Sequence, residues 1–193
     1  MSLRYALLAL LTAGPATGYD AAKRFGGSLG NVWHAPDSQI YPELKRMAAE
    51  GLIAGEQVRW GPRSTKTEYS ITDDGLAAFR EWMNTPIEHA PERDAHHMQA
   101  AYFEWADPDA ARANLTAHID HLRSQMELLT AVRDGIEART DPAIIGRLER
   151  YPAEQHDAIV AYKVYTYEGM IERSRAEIDW AERGLKLIED LRR

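Results

Sequence analysis

The feature that most constrains this chain is a change of hydrophobic period at Gly51. Before it, apolar residues recur at helical spacing, as Leu3, Leu7, Leu10 and Leu11 and again as Ile40, Leu44, Met47 and Ala48. After it, Ile53 to Trp60 and Thr67 to Thr72 read as two strands, the second alternating Tyr69 and Ile71 with Ser70 and Thr72. Helical spacing returns with Leu76, Phe79, Trp82 and Met83, behind Thr72 as cap. A short second helix is expected from Tyr19 to Phe25, so the order is helix, helix, helix, hairpin, helix. That order predicts a winged helix-turn-helix domain, with the third helix as reader and the hairpin as wing.

The third helix follows Pro36, offers Asp37 or Ser38 as N-cap, and stops at Gly51. At about 100° per residue, the face opposite Leu44 collects Ser38, Gln39, Pro42, Lys45, Arg46 and Ala49. Small, polar and basic side chains on one face suit contact with a polyanion, although a helix like this, taken alone, also suits plain solvent. Tyr41 falls at the flank, part core and part surface. Pro42 is expected near the first turn, where its missing N–H costs little. The hairpin tip, Gly61-Pro62-Arg63-Ser64-Thr65-Lys66, is polar, and residues 58–67 hold Arg59, Arg63 and Lys66 with no acidic side chain. Basic side chains and backbone N–H groups at such a tip can reach phosphates.

Pro86 and Pro91 mark a linker, dividing the chain into a winged domain at 1–85 and a second domain at 92–193. The second reads as all helix. One segment runs from Arg93 to Trp105 with Met98, Ala101, Tyr102 and Trp105 at helical spacing. A long helix opened by Asp107-Pro108 reaches about Arg139 and carries Leu115, Ile119, Leu122, Met126, Leu129, Val132 and Ile136. A short helix follows Asp141-Pro142, and a last long helix carries Ile159, Tyr162, Val164, Tyr165, Tyr167, Ile171, Ile178, Leu185 and Ile188. Two long antiparallel helices with narrow apolar stripes bury themselves poorly as one hairpin. A second copy of the same pair is the simplest partner, which predicts a homodimer through the C-terminal helices.

Charge fits this division. The net charge is −7, yet nine basic and nine acidic side chains balance over residues 1–83, so the whole excess lies in the second half. The chain has no cysteine, which excludes disulfides, thiolate metal sites and cysteine nucleophiles and points to a reducing compartment. Arg4 followed by Tyr5-Ala6-Leu7-Leu8-Ala9-Leu10-Leu11 imitates a signal peptide. Its single charge and helical leucine spacing argue for a buried first helix instead, in a cytoplasmic protein. The run is also far short of the ~20 residues that cross a bilayer, so no membrane partner is expected.

Four segments resemble the PadR family of bacterial transcription regulators, with the helical C-terminal domain that this family shares with virulence activators. Ala6-Leu7-Leu8-Ala9-Leu10-Leu11 before Gly18-Tyr19-Asp20 is similar to the family's first helix and Gly-Tyr turn. Ile40-Tyr41-Pro42-Glu43-Leu44-Lys45-Arg46-Met47 with Glu50-Gly51-Leu52-Ile53 resembles its recognition helix and exit. Lys66-Thr67-Glu68-Tyr69-Ser70-Ile71-Thr72-Asp73-Asp74-Gly75 resembles its second wing strand and helix cap, and Tyr162 to Trp180 its dimerisation helix. The resemblance is specific over 3–83 and more generic over 93–193. Lys66-Thr67-Glu68 departs from it, standing where the family usually has basic residues before its aromatic.

The resemblance implies a dimeric, sequence-specific DNA-binding regulator, a repressor working without chemistry on an inverted-repeat operator. Its two recognition helices (37–50) would enter successive major grooves about 34 Å apart, with the wing at 58–67. Carried over by position, Ser38, Gln39, Tyr41, Pro42, Lys45 and Arg46 meet the groove or its edges, and Lys23, Arg59, Arg63, Ser64 and Lys66 meet backbone phosphates. It also allows a small aromatic effector, with Trp82, Tyr102, Trp105, Tyr162 and Tyr165 as candidate lining of a pocket between the domains. At helical spacing these aromatics equally suit core or dimer seam.

Other constellations carry less. Gly26-Gly27-Ser28-Leu29-Gly30 matches the G-x-S-x-G elbow of hydrolases, but that chemistry needs a strand before the serine and a parallel sheet around it. No enzyme, no cofactor and no metal site are expected. His118 and His121, with His96 and His97, have spacings that zinc ligands use but also those of a solvated helix face. A different class remains: a helical protein–protein adaptor whose degenerate winged domain does not bind DNA, supported by the zero net charge of residues 1–83.

Overall fold

The computed structural model describes residues 3–25, 35–60, 64–88 and 93–192. The elements are α1 (Leu3–Leu11), β1 (Ala16–Thr17), α2 (Gly18–Phe25), α3 (Asp37–Ala49), β2 (Ile53–Trp60), β3 (Ser64–Ile71) and α4 (Asp73–Asn84). After these come α5 (Ala95–Ala100), a 3₁₀ turn at Phe103–Trp105, α6 (Pro108–Glu137), α7 (Pro142–Leu148) and α8 (Ala153–Leu191). They form two compact units, Met1–His89 and Ala90–Arg193. The first is a winged helix-turn-helix and the second is all helix, in line with the sequence reading.

In the first unit, one core gathers Leu7, Leu8, Leu10 and Leu11 of α1, Ala21 and Phe25 of α2, Ile40, Leu44 and Met47 of α3, and Ile53 of β2. Burying each of the larger side chains contributes about 1.5–3 kcal/mol. The leucine run that imitates a signal peptide is therefore one wall of this core. The sheet has the order β1-β3-β2, with β2 and β3 antiparallel from Ile53↔Ile71 to Trp60↔Ser64. The sequence predicts only this hairpin. The third strand, β1, pairs Ala16↔Tyr69 and Thr17↔Glu68, and at two residues it is too short to leave a periodic signal.

Two turns lock α3 to the wing. Gly51 has φ 77°, the left-handed region that favours glycine. Leu52 N donates to Met47 O at 3.0 Å and Gly51 N to Ala48 O at 3.2 Å, the paired bonds of a Schellman stop. Thr72 Oγ1 then donates to Gly51 O at 2.7 Å and accepts from Gly75 N at 3.1 Å. One hydroxyl thus ties the end of α3 to the start of α4.

The start of α3 differs from the sequence reading. Its cap is Pro36, without a side-chain bond, and Asp37 and Ser38 already lie inside the helix. Pro42 consequently sits in the second turn, where it has no N–H for the Ser38 carbonyl four residues back. Asp37 instead places an anion in the first turn, where the helix dipole favours it.

In the second unit, α6 and α8 pack along their length. Leu115, Ile119 and Leu122 meet Ile178 and Ala181 at one end. Leu129 and Ile136 meet Val160, Tyr167, Ile171 and α7 residues Ile144 and Leu148 at the other. Asp107 and Asp141 cap α6 and α7, accepting from Asp109 N at 2.8 Å and Ala143 N at 2.9 Å. The expected single segment Arg93 to Trp105 is broken instead into α5 and the 3₁₀ turn, and Met98, Tyr102 and Trp105 are exposed. Residues 26–30, which carry the hydrolase-like spacing, lie outside the described residues.

Candidate nucleic-acid interface

The buried row Ile40, Leu44, Met47 turns the opposite face of α3 outward. Asp37, Ser38, Gln39, Tyr41, Pro42, Lys45, Arg46 and Ala49 are exposed. Their chemistry is graded along the helix, from amide and hydroxyl near its start to cations near its end. Among the described residues, Lys45 makes no ion pair. Arg46 donates to Glu43 at 2.8 Å, and Glu43 also accepts from Arg4 at 3.2 Å, with Arg4 bridging on to Glu50 at 2.7 Å. This chain of charges fixes α3 against α1 and leaves Lys45 as the freer cation.

Tyr41 is a packing residue as much as a surface one. A Cβ built at Gly18 would lie 2.5 Å from Tyr41 Cε1, so the glycine at the start of α2 makes room for the ring of α3. Next to it, Thr17 caps α2. Its Oγ1 accepts from Asp20 N at 3.2 Å while the Asp20 carboxylate accepts from Thr17 N at 3.2 Å, the reciprocal pattern of a capping box, and Oγ1 also donates to that carboxylate at 2.7 Å. The Thr17 hydroxyl holds the Asp20 carboxyl below its ordinary value, with help from the charges of Lys66 and Arg24 against the opposing effect of burial. The Gly-Tyr turn is thus a joint between α2 and α3.

On the wing, Arg59 and Ser64 are exposed, and Ser64 Oγ donates to Trp60 O. Lys66 is arranged differently from expectation. Its Nζ lies 3.1 Å from the Trp60 ring centroid and 4.8 Å from that of Tyr19, an ammonium between two half-exposed rings. It therefore joins the wing to α2 before it meets any phosphate. Arg63 lies outside the described residues. Lys23 and its neighbour Arg24 are exposed, and among the described residues neither makes an ion pair. Arg24, Tyr19 and Trp60 are not among the site residues that the sequence suggests. Adjacency to Lys23 could have suggested Arg24, but the two rings meet Lys66 only through folding.

The candidate effector aromatics are not gathered by either unit. Trp82 stacks on Tyr5 at 4.9 Å and on Phe79 at 6.0 Å, inside the first unit. Tyr102, Trp105, Tyr162 and Tyr165 are exposed. The large cavity of the second unit, about 790 Å³, is walled by others, chiefly Phe103, Leu115, Trp180, Leu187 and Ile188, with Arg183 and Arg192 at its edge. No group of three or more histidine or carboxylate side chains suited to a metal occurs among the described residues. No helix there is long and apolar enough to cross a membrane.

Comparison with known proteins bears on both units. The Transcriptional regulator PadR-like family profile matches residues 7–81, and that of the Virulence activator alpha C-term matches residues 92–189. The Negative transcriptional regulator PadR of Bacillus subtilis (strain 168) is 38% identical over 104 residues, 52% of this chain and 56% of the relative, so this alignment spans little more than half that protein. The Probable transcriptional regulator Rv1176c of Mycobacterium tuberculosis (strain ATCC 25618 / H37Rv) is 26% identical, with all of both chains covered. Among solved structures, Bacillus subtilis PadR in complex with operator DNA superposes with a TM-score of 0.77 at 25% identity, over 96% of this chain and 98% of that one. The Vibrio cholerae virulence activator AphA gives 0.71 at 25%, over 98% and 99%. Bacillus subtilis PadR in complex with p-coumaric acid gives 0.71 at 25%, over 97% and 98%.

Proposed function

The chain belongs to the PadR-like family of transcriptional regulators, with a virulence activator alpha C-terminal domain behind its winged helix, and from that premise we propose that it is a homodimeric, sequence-specific DNA-binding repressor. The observation that carries the reading is the face of α3. Its core row is fully buried, Ser38, Gln39, Lys45 and Arg46 are exposed, and the wing exposes a further cation, Arg59.

The roles divide by chemistry. Gln39 can donate and accept at once, which suits the adenine edge in the major groove, and Lys45 suits guanine or phosphate. Ser38, Pro42 and Arg46 lie along the same face and set how closely it approaches. Tyr41 holds α3 to α2 and offers its hydroxyl to a phosphate. Lys23, Arg59, Arg63, Ser64 and Lys66 supply affinity without sequence information. An acidic second half keeps the remaining surface away from the polyanion.

One reader helix with two cations cannot bind tightly alone, which is why the dimer belongs to the proposal. The exposed Tyr162, Tyr165 and Leu128 of the long helices give a second copy an apolar face to cover. We also propose response to a small aromatic effector. Its support is the p-coumaric acid complex of a similar protein together with the aromatic content of the second unit. Such a ligand acts only through a difference in affinity between DNA-competent and incompetent states.

A gel-shift with DNA upstream of its own gene tests the core of this. Salt-sensitive, sequence-dependent retardation is expected. Its absence would leave the adaptor reading, since the winged unit would then be present without its ligand. Gln39→Ala is expected to change base preference, whereas Arg63→Ala weakens all sequences alike and lowers the salt slope by about one unit.

A further inference from the structure

The first helix of the second unit, α5, has no buried residue of its own. Two successive histidines hold it. The His96 ring stacks on His118 of α6 at 3.9 Å, and the His97 ring stacks on Trp180 of α8 at 4.0 Å. His118 and Trp180 meet edge to face at 6.4 Å, so the four rings form one continuous cluster. Asp94 caps α5, accepting from His97 N at 3.0 Å with its other oxygen 2.7 Å from His97 Nδ1.

At the centre, the His118 side chain is only 9% exposed, and its Nε2 is 3.9 Å from Glu177 of α8, too far for a hydrogen bond. Neither of its ring nitrogens has a hydrogen-bond partner among the described residues. It opens on a cavity of about 230 Å³ with His96, Gln99, Asn114, Ala117 and His121.

We propose that this cluster is a proton-sensitive latch, in which neutral His118 docks α5 on α6 and α8 and its protonation releases the helix. A charge placed there would be nearly enclosed, stacked on one imidazole and close to another. Burial is the largest influence, holding His118 below its ordinary value of 6.5, and the charges of His96 and His121 act the same way. Glu177 and Asp94 oppose this without overcoming it. Because the released imidazole binds a proton more readily than the docked one, docking is favoured in full above that ordinary value. The advantage is lost as pH falls through it toward the lower docked value. The range lies just below neutrality, where histidine switches operate.

The consequence for regulation rests on the DNA-binding reading above. Helix α5 is the first helix of the second unit. Its release lengthens the tether between reader and dimer domain, which lowers the effective concentration of the second reading head once the first is bound. Acidification then weakens operator binding.

The test is made on the full chain without DNA. Amide exchange at Met98 and Ala101, corrected for the intrinsic pH dependence, is expected to speed up by about threefold or more between about pH 7.5 and about pH 5.5. The α6 and α8 amides around Leu129 and Ile171 should hold steady. His118→Phe keeps the stacking and removes the proton site, so it should flatten that dependence. The wild-type His118 ring titration, followed by NMR, gives a readout independent of whether this variant folds. A midpoint at or above the ordinary histidine value, or unchanged α5 exchange across the range, overturns the latch. Operator affinity measured over the same range is a separate arm. Loss of binding at every pH counts against the DNA reading, whereas a pH-independent affinity beside a working latch overturns the proposed coupling.

Discussion

The two units solve the problem of burying apolar surface in opposite ways. In the first, three helices and the base of the wing converge on one point, and Leu7, Leu8, Ile40, Leu44, Met47 and Ile53 are all essentially inaccessible. In the second, α6 and α8 meet along a line, the core divides into two clusters, and Leu129 is the large side chain buried to the same degree. Both units leave large apolar groups outside, but those of the second include Leu128, Tyr162, Tyr165 and Leu191 along its two long helices, whereas Tyr19, Tyr41 and Trp60 of the first belong to α2, α3 and the wing. A convergent core fixes the position of every surface residue, as a base-reading helix requires. A linear seam leaves apolar surface available, as a dimerising element requires.

Substitutions can break this contrast. The largest effect is expected at Gly75, where a Cβ would come within 2.0 Å of the Leu52 backbone carbonyl. Neither backbone can yield without breaking the joint between wing and α4, so Gly75→Ala should cost about 3 kcal/mol or more in denaturant unfolding. Leu44→Ala, in the same convergent core, should cost about 2–5 kcal/mol. If it cost under 1 kcal/mol, the core would be looser than its burial implies.

The seam should respond in association rather than folding. Tyr162→Glu with Tyr165→Glu is expected to leave the helix content intact and raise the dimer dissociation constant about a hundredfold or more in sedimentation. An unchanged dimer would place the interface elsewhere. A milder loss, about 1 kcal/mol, is expected for Thr72→Ala, which removes the cap on α4. The smallest is Gly184→Ala. Its Cβ would meet Leu115 Cδ1 at 2.8 Å, but that methyl ends a flexible side chain, so thermal unfolding should shift by less than about 1 kcal/mol. The same Gly→Ala change thus reads a rigid neighbour in one unit and a yielding one in the other.

What the sequence disclosed follows the same division. Ile40, Leu44 and Met47, and the row from Leu115 to Ile136, are legible because each repeats a helical period long enough to outweigh chance. The fold order and the outward face of α3 follow from them. Contacts between residues far apart in the chain are not legible. The pairing of Ala16 and Thr17 with β3, the Arg4 bridge to Glu43, the rings around Lys66 and the stack of His96 on His118 have no periodic trace. The α5 break was hidden because Met98, Ala101, Tyr102 and Trp105 keep helical spacing while the chain turns between them. At the candidate site, position on a face was readable, but which cation is already engaged was not.

The central claim is that two copies, held by the second units, read one inverted repeat with their α3 faces. It is tested most directly by selecting the preferred duplex, then measuring affinity and stoichiometry before and after five base pairs are inserted between its half-sites. The account predicts two chains per duplex and a loss of about a hundredfold on insertion, since half a helical turn moves one groove to the far side. One chain per duplex, or an affinity indifferent to the insertion, would contradict it.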